Sequence, residues 1–212
     1  MVRGQAVRDY GGVSADDRRA ERRRKLLDAG RHAWGRAGLG EVTVRGVCAA
    51  AGLQPRYFYE QFANRDALIV AVADEVRDKL FTTLVDSSRS ADGGLEDKLR
   101  AALTAFLCVI ADDPDIHHIM RTDLAGVPGL ETRRVDSLNM VAELIVRYGS
   151  DVPGFDPRPG IDRRQVARFV AGGVNHLIDN WLADQDETPL ELAEQCTRLC
   201  MTFGQGHEVS SD

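Results

Sequence analysis

The sequence predicts an all-α fold, and three observations predict it. Apolar residues recur at spacings of three and four in one segment after another. No run of β-branched residues alternates with polar ones between turn signals. Helix-capping residues open these segments, and Gly or Pro follows them.

Taken in order, residues 1–13 contain three Gly and no periodicity, and they read as a flexible N-terminal arm. Ser14 opens the first helix, with Asp17 three residues on, the spacing of a capping box. Leu26, Gly30, Ala33, Trp34 and Ala37 share its inner face. Arg18, Arg19, Arg22, Arg23 and Lys25 crowd its first half, away from that face. Gly38 and Gly40 stop it. Thr43 caps a short helix whose apolar side is Val44, Val47, Cys48 and Ala51, and Gly52 breaks it. A second short helix covers 56–62, with Pro55 in its first turn.

Asn64 caps a long helix over 65–85, with Leu68, Val72, Val76 and Leu80 as its buried stripe. Residues 87–94 read as a loop. Helices are predicted at 95–111, 114–124, 130–148, 162–183 and 189–203. Asp113–Pro114 starts the second of these, and Thr188, Pro189 and Glu191 start the last. Residues 149–160 hold three Pro and three Gly and form a loop. Residues 205–212 read as a disordered tail.

Charge divides the chain. Residues 1–65 carry 13 Lys and Arg against 7 Asp and Glu, whereas residues 66–212 carry 14 against 26. A basic first third on an acidic remainder suits one part that meets a polyanion and another that does not. No stretch approaches the ~18 apolar residues of a membrane span, and no apolar stretch of a secretion signal opens the chain. Cys48, Cys108, Cys196 and Cys200 form no CxxC pair and suit reduced core thiols in a cytoplasm. The adjacent His117 and His118 point about 100° apart on a helix, so no metal site is expected there. No glycine-rich phosphate loop, G-x-S-x-G elbow or H-E-x-x-H is present, so no enzyme is expected.

Residues 43–62 carry the functional signal: two short helices joined by a tight glycine turn, the helix-turn-helix pattern. Gly52 supplies the left-handed turn, Ala49 to Ala51 leave room for close packing, and Leu53, Phe58 and Phe62 anchor the core. With Phe58 and Phe62 inward, Arg56, Tyr57, Glu60 and Gln61 point outward, and Gln54 stands at the helix start. Arg and Gln match guanine and adenine edges. Tyr59, Thr43, Arg45 and Arg65 stand where phosphates would lie, and Arg18 and Arg22 add positive charge beside them. The expected partner is double-stranded DNA.

Residues 43–68 resemble the helix-turn-helix of the TetR family of repressors. The resemblance rests on Thr43, Val44, Val47, Ala51, Gly52, Leu53, Phe58, Tyr59, Phe62, Asn64, Arg65, Asp66 and Leu68. Leu26, Leu27, Ala29 and Gly38 extend it to roughly residues 18–75. Cys48, Pro55–Arg56, Glu60 and Arg65 depart from the family's usual residues. The core and phosphate positions therefore match better than the base-reading ones, and the operator sequence is not legible.

The resemblance implies a helix-turn-helix DNA-binding domain at 14–65 and a helical-bundle ligand-binding and dimerisation domain at 66–204. It implies a homodimeric repressor released from operator DNA by a small-molecule effector, without cofactor or membrane. The last two helices would pair with a second copy through Phe169, Gly172, Gly173, Leu177, Leu192, Leu199 and Phe203. Phe81, Phe106, Ile110, His117, Met120, Leu124, Asn175 and Trp181 are the candidate lining of an effector pocket, although plain core is the default reading of each. Cys196 and Cys200, one turn apart, leave open a redox- or metal-responsive repressor. A helical carrier or enzyme with an incidental basic helix is the alternative of another class.

Overall fold

The computed structural model describes residues 14–122, 127–149, 162–184 and 186–204. The predicted arm, the tail, the 149–160 loop beyond Gly149 and Leu124 lie outside these. Among the described residues the chain is all α. The helices are α1 (Ala15–Ala37), α2 (Val44–Ala51), α3 (Pro55–Tyr59), α4 (Arg65–Ser90), α5 (Leu95–Asp112), α6 (Pro114–Met120), α7 (Leu130–Gly149), α8 (Arg163–Asp184) and α9 (Pro189–Gly204). A single 3-10 turn, Leu39–Glu41, follows α1.

The helix starts lie where local chemistry puts them. The Ser14 hydroxyl accepts from the Asp17 amide, and the Asp17 carboxylate accepts from the Ser14 amide, 2.9 and 3.2 Å. Thr43, Asn64 and Asp113 each accept an orphan amide of the first turn that follows. Thr188 and Glu191 cap α9 reciprocally. The ends depend on packing, and two differ from the sequence prediction. Helix α4 continues to Ser90, where the Ala91 amide still donates to Ser87 O at 3.2 Å, and leaves only 91–94 as loop. Helix α3 stops at Tyr59, because the Gln61 amide bonds three residues back to Phe58 O and tightens the turn. Phe62 beyond it remains buried.

One apolar core runs from α1 to α9. It includes Leu26, Trp34, Phe58, Leu68, Leu107, Ile116, Leu182 and Cys196. A smaller cluster of Ala142, Ala167 and Ala171 joins α7 to α8. The three N-terminal helices form a head, and α4 leads from it into the helical body.

Head and body meet along α1, where glycine permits close approach. A Cβ added at Gly30 would lie 3.1 Å from Leu68 Cδ2 on α4, whereas one at Gly35 would lie 2.5 Å from Asp115 Cα on α6. Polar contacts flank this seam. Arg31 donates to Asp113 at 2.8 Å, Lys79 from α4 lies 3.4 Å from the same oxygen, and Trp34 Nε1 donates to Thr122 Oγ1 at 2.8 Å. His32 Nδ1 pairs with the buried Asp115 carboxylate.

Two measurements test the seam. Gly35→Ala should lower stability by about 1–3 kcal/mol in urea unfolding, because the methyl meets backbone. Helix propensity alone would raise stability by about 1 kcal/mol, so a gain excludes the close approach. Burial raises the Asp113 carboxyl, but hydrogen bonds from Arg31 and the Ile116 amide outweigh it and hold it below the ordinary carboxylate value. A carboxyl depressed in the folded state stabilises above its unfolded pKa of about 4, and loses that contribution as pH falls toward the folded value. Arg31→Met should therefore lower the Tm at pH 7, and the gap to wild type should narrow below about pH 4. A gap constant with pH excludes the pair as its source.

Candidate nucleic-acid interface and internal cavity

Helices α2 and α3 are joined at Gly52, whose φ of 65° is left-handed. No atom lies within 4 Å of an added Cβ there, so glycine is required for backbone conformation rather than for space. The turn closes with Leu53 N donating to Cys48 O at 2.9 Å. Phe58 is fully buried, meeting Tyr59 edge to face and Phe62 with tilted rings, which fixes which face of α3 looks inward.

The outward face is built around Tyr57. The Arg22 guanidinium lies 4.8 Å from its ring centroid and the Arg56 guanidinium 4.5 Å, and Arg56 also donates to the Tyr57 hydroxyl at 2.6 Å. A half-buried tyrosine stacked with two cations places a positive rim at the start of α3. Glu60, exposed and acidic, sits 3.7 Å from Arg22, and its carbonyl accepts from Arg19 at 3.4 Å. The carboxylate is thus partly neutralised from α1. Gln54, Arg56, Tyr59, Thr43, Arg45 and Arg18 are all exposed, Tyr59 by 60%.

Two sequence-predicted contact residues sit elsewhere. The Gln61 side-chain nitrogen, Nε2, is buried without a partner, because the chain is already turning inward to Phe62. Arg65 donates to Val42 O at 2.6 Å and to Leu39 O, and pairs with Asp66. It braces the turn before α2 against the start of α4. Two residues not singled out for this face contribute to it: Arg19 through Glu60, and Arg23 through a guanidinium 4.6 Å from the Phe62 ring.

Behind the head lies a cavity of about 200 Å³. Phe81, Phe106, Met120 and Asn175 line it as predicted. Ile110 does not; it is fully buried in the α5 core. Neither do His117 and Trp181, which meet edge to face at 6.5 Å, while Trp181 Nε1 closes the α8–α9 connection through Glu187 O. Burial, with the nearby Arg121 and His118 charges, lowers the pKa of His117. The sequence reading did not anticipate Trp34 and a charged side made by Asp74, Arg77, Arg133, Arg134 and Asp179. Its one signal is the α7 face Leu130, Arg133, Ser137 and Val141, whose period is helical but whose composition is mixed. A larger groove, about 730 Å³, opens between α1 and α6 among Arg31, His32, Arg36, Lys79 and Asp112. Its charged walls suit solvent better than an apolar guest.

On the outer faces of α8 and α9, Phe169 is 64% exposed and Leu199 46%. Gly172 and Gly173 are exposed with open space above them. Leu192 is instead buried and Leu177 half-buried in the protomer's own core, because they face α5 and the inner side of the body. The Phe203 side chain lies outside the described residues. Burial pushes the Cys196 thiol up to about 12 and the Cys200 thiol up to about 11. Both are therefore overwhelmingly protonated near neutrality, the opposite of a reactive pair.

Residues 26–72 match the profile described as bacterial regulatory proteins, tetR family. No curated protein matches the chain significantly by sequence. Solved structures share its fold. FadR of Bacillus subtilis, determined in complex with stearoyl-CoA, superposes with a TM-score of 0.66 at 15% identity, over 84% of this chain and 97% of that one. A TetR family transcription regulator of Marinobacter aquaeolei gives 0.64 at 17% identity, over 91% and 100%. NalD, the secondary repressor of the MexAB-OprM multidrug efflux pump in Pseudomonas aeruginosa, gives 0.65 at 20% identity, over 90% and 98%. The head of this chain is thus similar to the tetR family of bacterial regulatory proteins over residues 26–72, and the described helices share the all-α fold of these solved structures.

Proposed function

We propose that the protein is a homodimeric transcriptional repressor that binds operator DNA through α2 and α3 and leaves it when a small molecule enters the body. The observation that carries this reading is the α3 surface. Arg56, Tyr59 and Gln54 stand outward with Arg18, Arg19, Arg23 and Arg45 also exposed on the head, and residues 26–72 match a family of regulators. Arg56 suits a guanine edge, while Tyr59, Thr43 and Arg45 suit phosphates. Residues 14–65 are the DNA-binding unit and 66–204 the sensing and dimerising unit.

The dimer follows from the geometry of B-DNA. Two recognition helices about 34–36 Å apart read successive major grooves. The exposed Phe169 and Leu199, with the bare backbone at Gly172 and Gly173, are the surface that would pair, and each large apolar side chain buried contributes roughly 1.5–3 kcal/mol. NalD is a repressor and FadR was solved with an acyl-CoA, which supports repression and effector binding without naming the effector here.

A gel shift on DNA flanking the protein's own gene, followed by selection of bound sequences from random DNA, tests the central reading. Affinity should fall steeply between about 50 and 200 mM salt, because several phosphates are neutralised. Absent or salt-independent binding favours the carrier or enzyme alternative. Arg56→Ala should relax sequence preference by about 1–3 kcal/mol at one base pair, whereas Tyr59→Phe should weaken binding to all sequences alike. Retained selectivity in Arg56→Ala excludes its base contact. Substituting both Phe169 and Leu199 by Glu should convert the protein to monomers in sedimentation and cost at least tenfold in operator affinity. A double variant that still dimerises moves the interface away from α8 and α9.

A further inference from the structure

The cavity behind the head has a composition that selects its guest. Its apolar wall is formed by Trp34, Leu80, Phe81, Phe106, Met120 and Val141, drawn from five helices. Its charged side carries Arg77, Arg133 and Arg134 with Asp74 and Asp179; Arg134 also pairs with Glu131 and Arg77 with Asp78. Arg133 on α7 reaches both Asp74 oxygens on α4 through one nitrogen, Nη1, at 2.6 and 2.7 Å. Asp74 also pairs with Arg77 of its own helix at 2.8 Å. Asp74 thus has two cations. If an incoming anion takes Arg133, Asp74 keeps Arg77 and is not left as an uncompensated charge. Asp179 is likewise engaged, accepting from Asn175 at 2.9 Å.

The geometry points to a small organic anion with an apolar body as the effector: a carboxylate of about eight carbons or one aromatic ring, bound head-first to Arg133. Size sets the scale. A cavity of about 150 Å³ holds the six non-hydrogen atoms of benzene, so about 200 Å³ takes roughly eight, and the charged side opens to solvent at the half-exposed Arg133. That is far smaller than the stearoyl-CoA bound by FadR. The same contact supplies the switch. Arg133–Asp74 ties α7 to α4, the helix that begins directly behind α3, and Trp34 brings α1 of the head into the cavity wall. An anion that competes for Arg133 interacts differently with the tied and untied states, which is the requirement for shifting between them. This inference rests on reading the cavity as the effector site.

The test uses octanoate and octan-1-ol as matched probes on the full-length protein, with thermal shift and release of selected DNA as readouts. Octanoate should raise the Tm and weaken DNA binding at least tenfold, at concentrations where octanol does so at least ten times less effectively. Arg133→Met should erase the preference for octanoate, and Arg133→Lys should retain most of it. Arg133→Gln gives the same readout as the Met variant if the latter does not fold. Equal response to both probes overturns the proposal, as does an intact preference in Arg133→Met or Arg133→Gln. No response to octanoate at about 5 mM also overturns it. DNA binding without probe is measured in the same series. A protein that binds DNA but ignores octanoate refutes this inference alone, whereas one that binds no DNA refutes the regulator reading.

Discussion

The contact on which the arrangement depends is the backbone approach of α1 to α6 at Gly35 and Asp115. Helices approach this closely only where one side chain is missing, because any Cβ at Gly35 would overlap the Asp115 backbone. Once it is made, the other seam contacts fall into register: Arg31 and Lys79 on Asp113, His32 on Asp115, Trp34 on Thr122. Surface ion pairs are worth little singly, and these would not orient a domain by themselves. Their geometry follows from the steric fit, which fixes where the head stands on the body.

From that seam α1 runs outward to α3, and its basic half does more than add charge. Arg22 is stacked on Tyr57 and lies near Glu60; Arg19 bonds the Glu60 carbonyl; Arg23 covers Phe62. Three arginines of α1 therefore hold α3 from one side. Helix α3 is only five residues long and could not be stable alone, since isolated helices of that length do not pass nucleation. The core anchor Phe58 and the α1 arginines together make it a defined surface. This also accounts for an acidic residue just past α3: Glu60 is a partner for the arginines of α1.

What the sequence disclosed, and what it hid, follows the range of the interactions. Caps at Ser14, Thr43, Asn64, Asp113 and Thr188 were legible because each is settled within three or four residues. The inward positions of Phe58 and Phe62 were legible because a helical period fixes them. Arg65 was misread because its partners, Leu39 and Val42, are 26 and 23 residues away, and nothing local distinguishes a bracing arginine from a phosphate-binding one. The cavity was half legible. Its aromatic wall follows from amphipathic stripes, but Arg133 facing Asp74 across 59 residues is a tertiary fact, and charged residues on a stripe read as solvent-facing. Leu192 and Leu177 were assigned to a dimer face because periodicity shows that a face is apolar, not which neighbour covers it.

The α1–α6 seam between head and body and the α4–α7 tie within the body differ in kind, and that difference decides where motion can occur. At α1–α6 the fit is backbone against side chain with no slack, so the two helices must move as one piece. At α4–α7 the tie is a guanidinium–carboxylate pair in which the carboxylate has a second cation ready. Sterically locked contacts are bistable only if they part entirely, whereas ion pairs with an alternative partner exchange at small cost. Allosteric couplings are typically about 1–3 kcal/mol, well within what exchange of one charge partner supplies and well below what opening a packed glycine seam would require. Rearrangement of α4 against α7 therefore costs less than parting α1 from α6, and α1 and α6 stay together as a rigid unit.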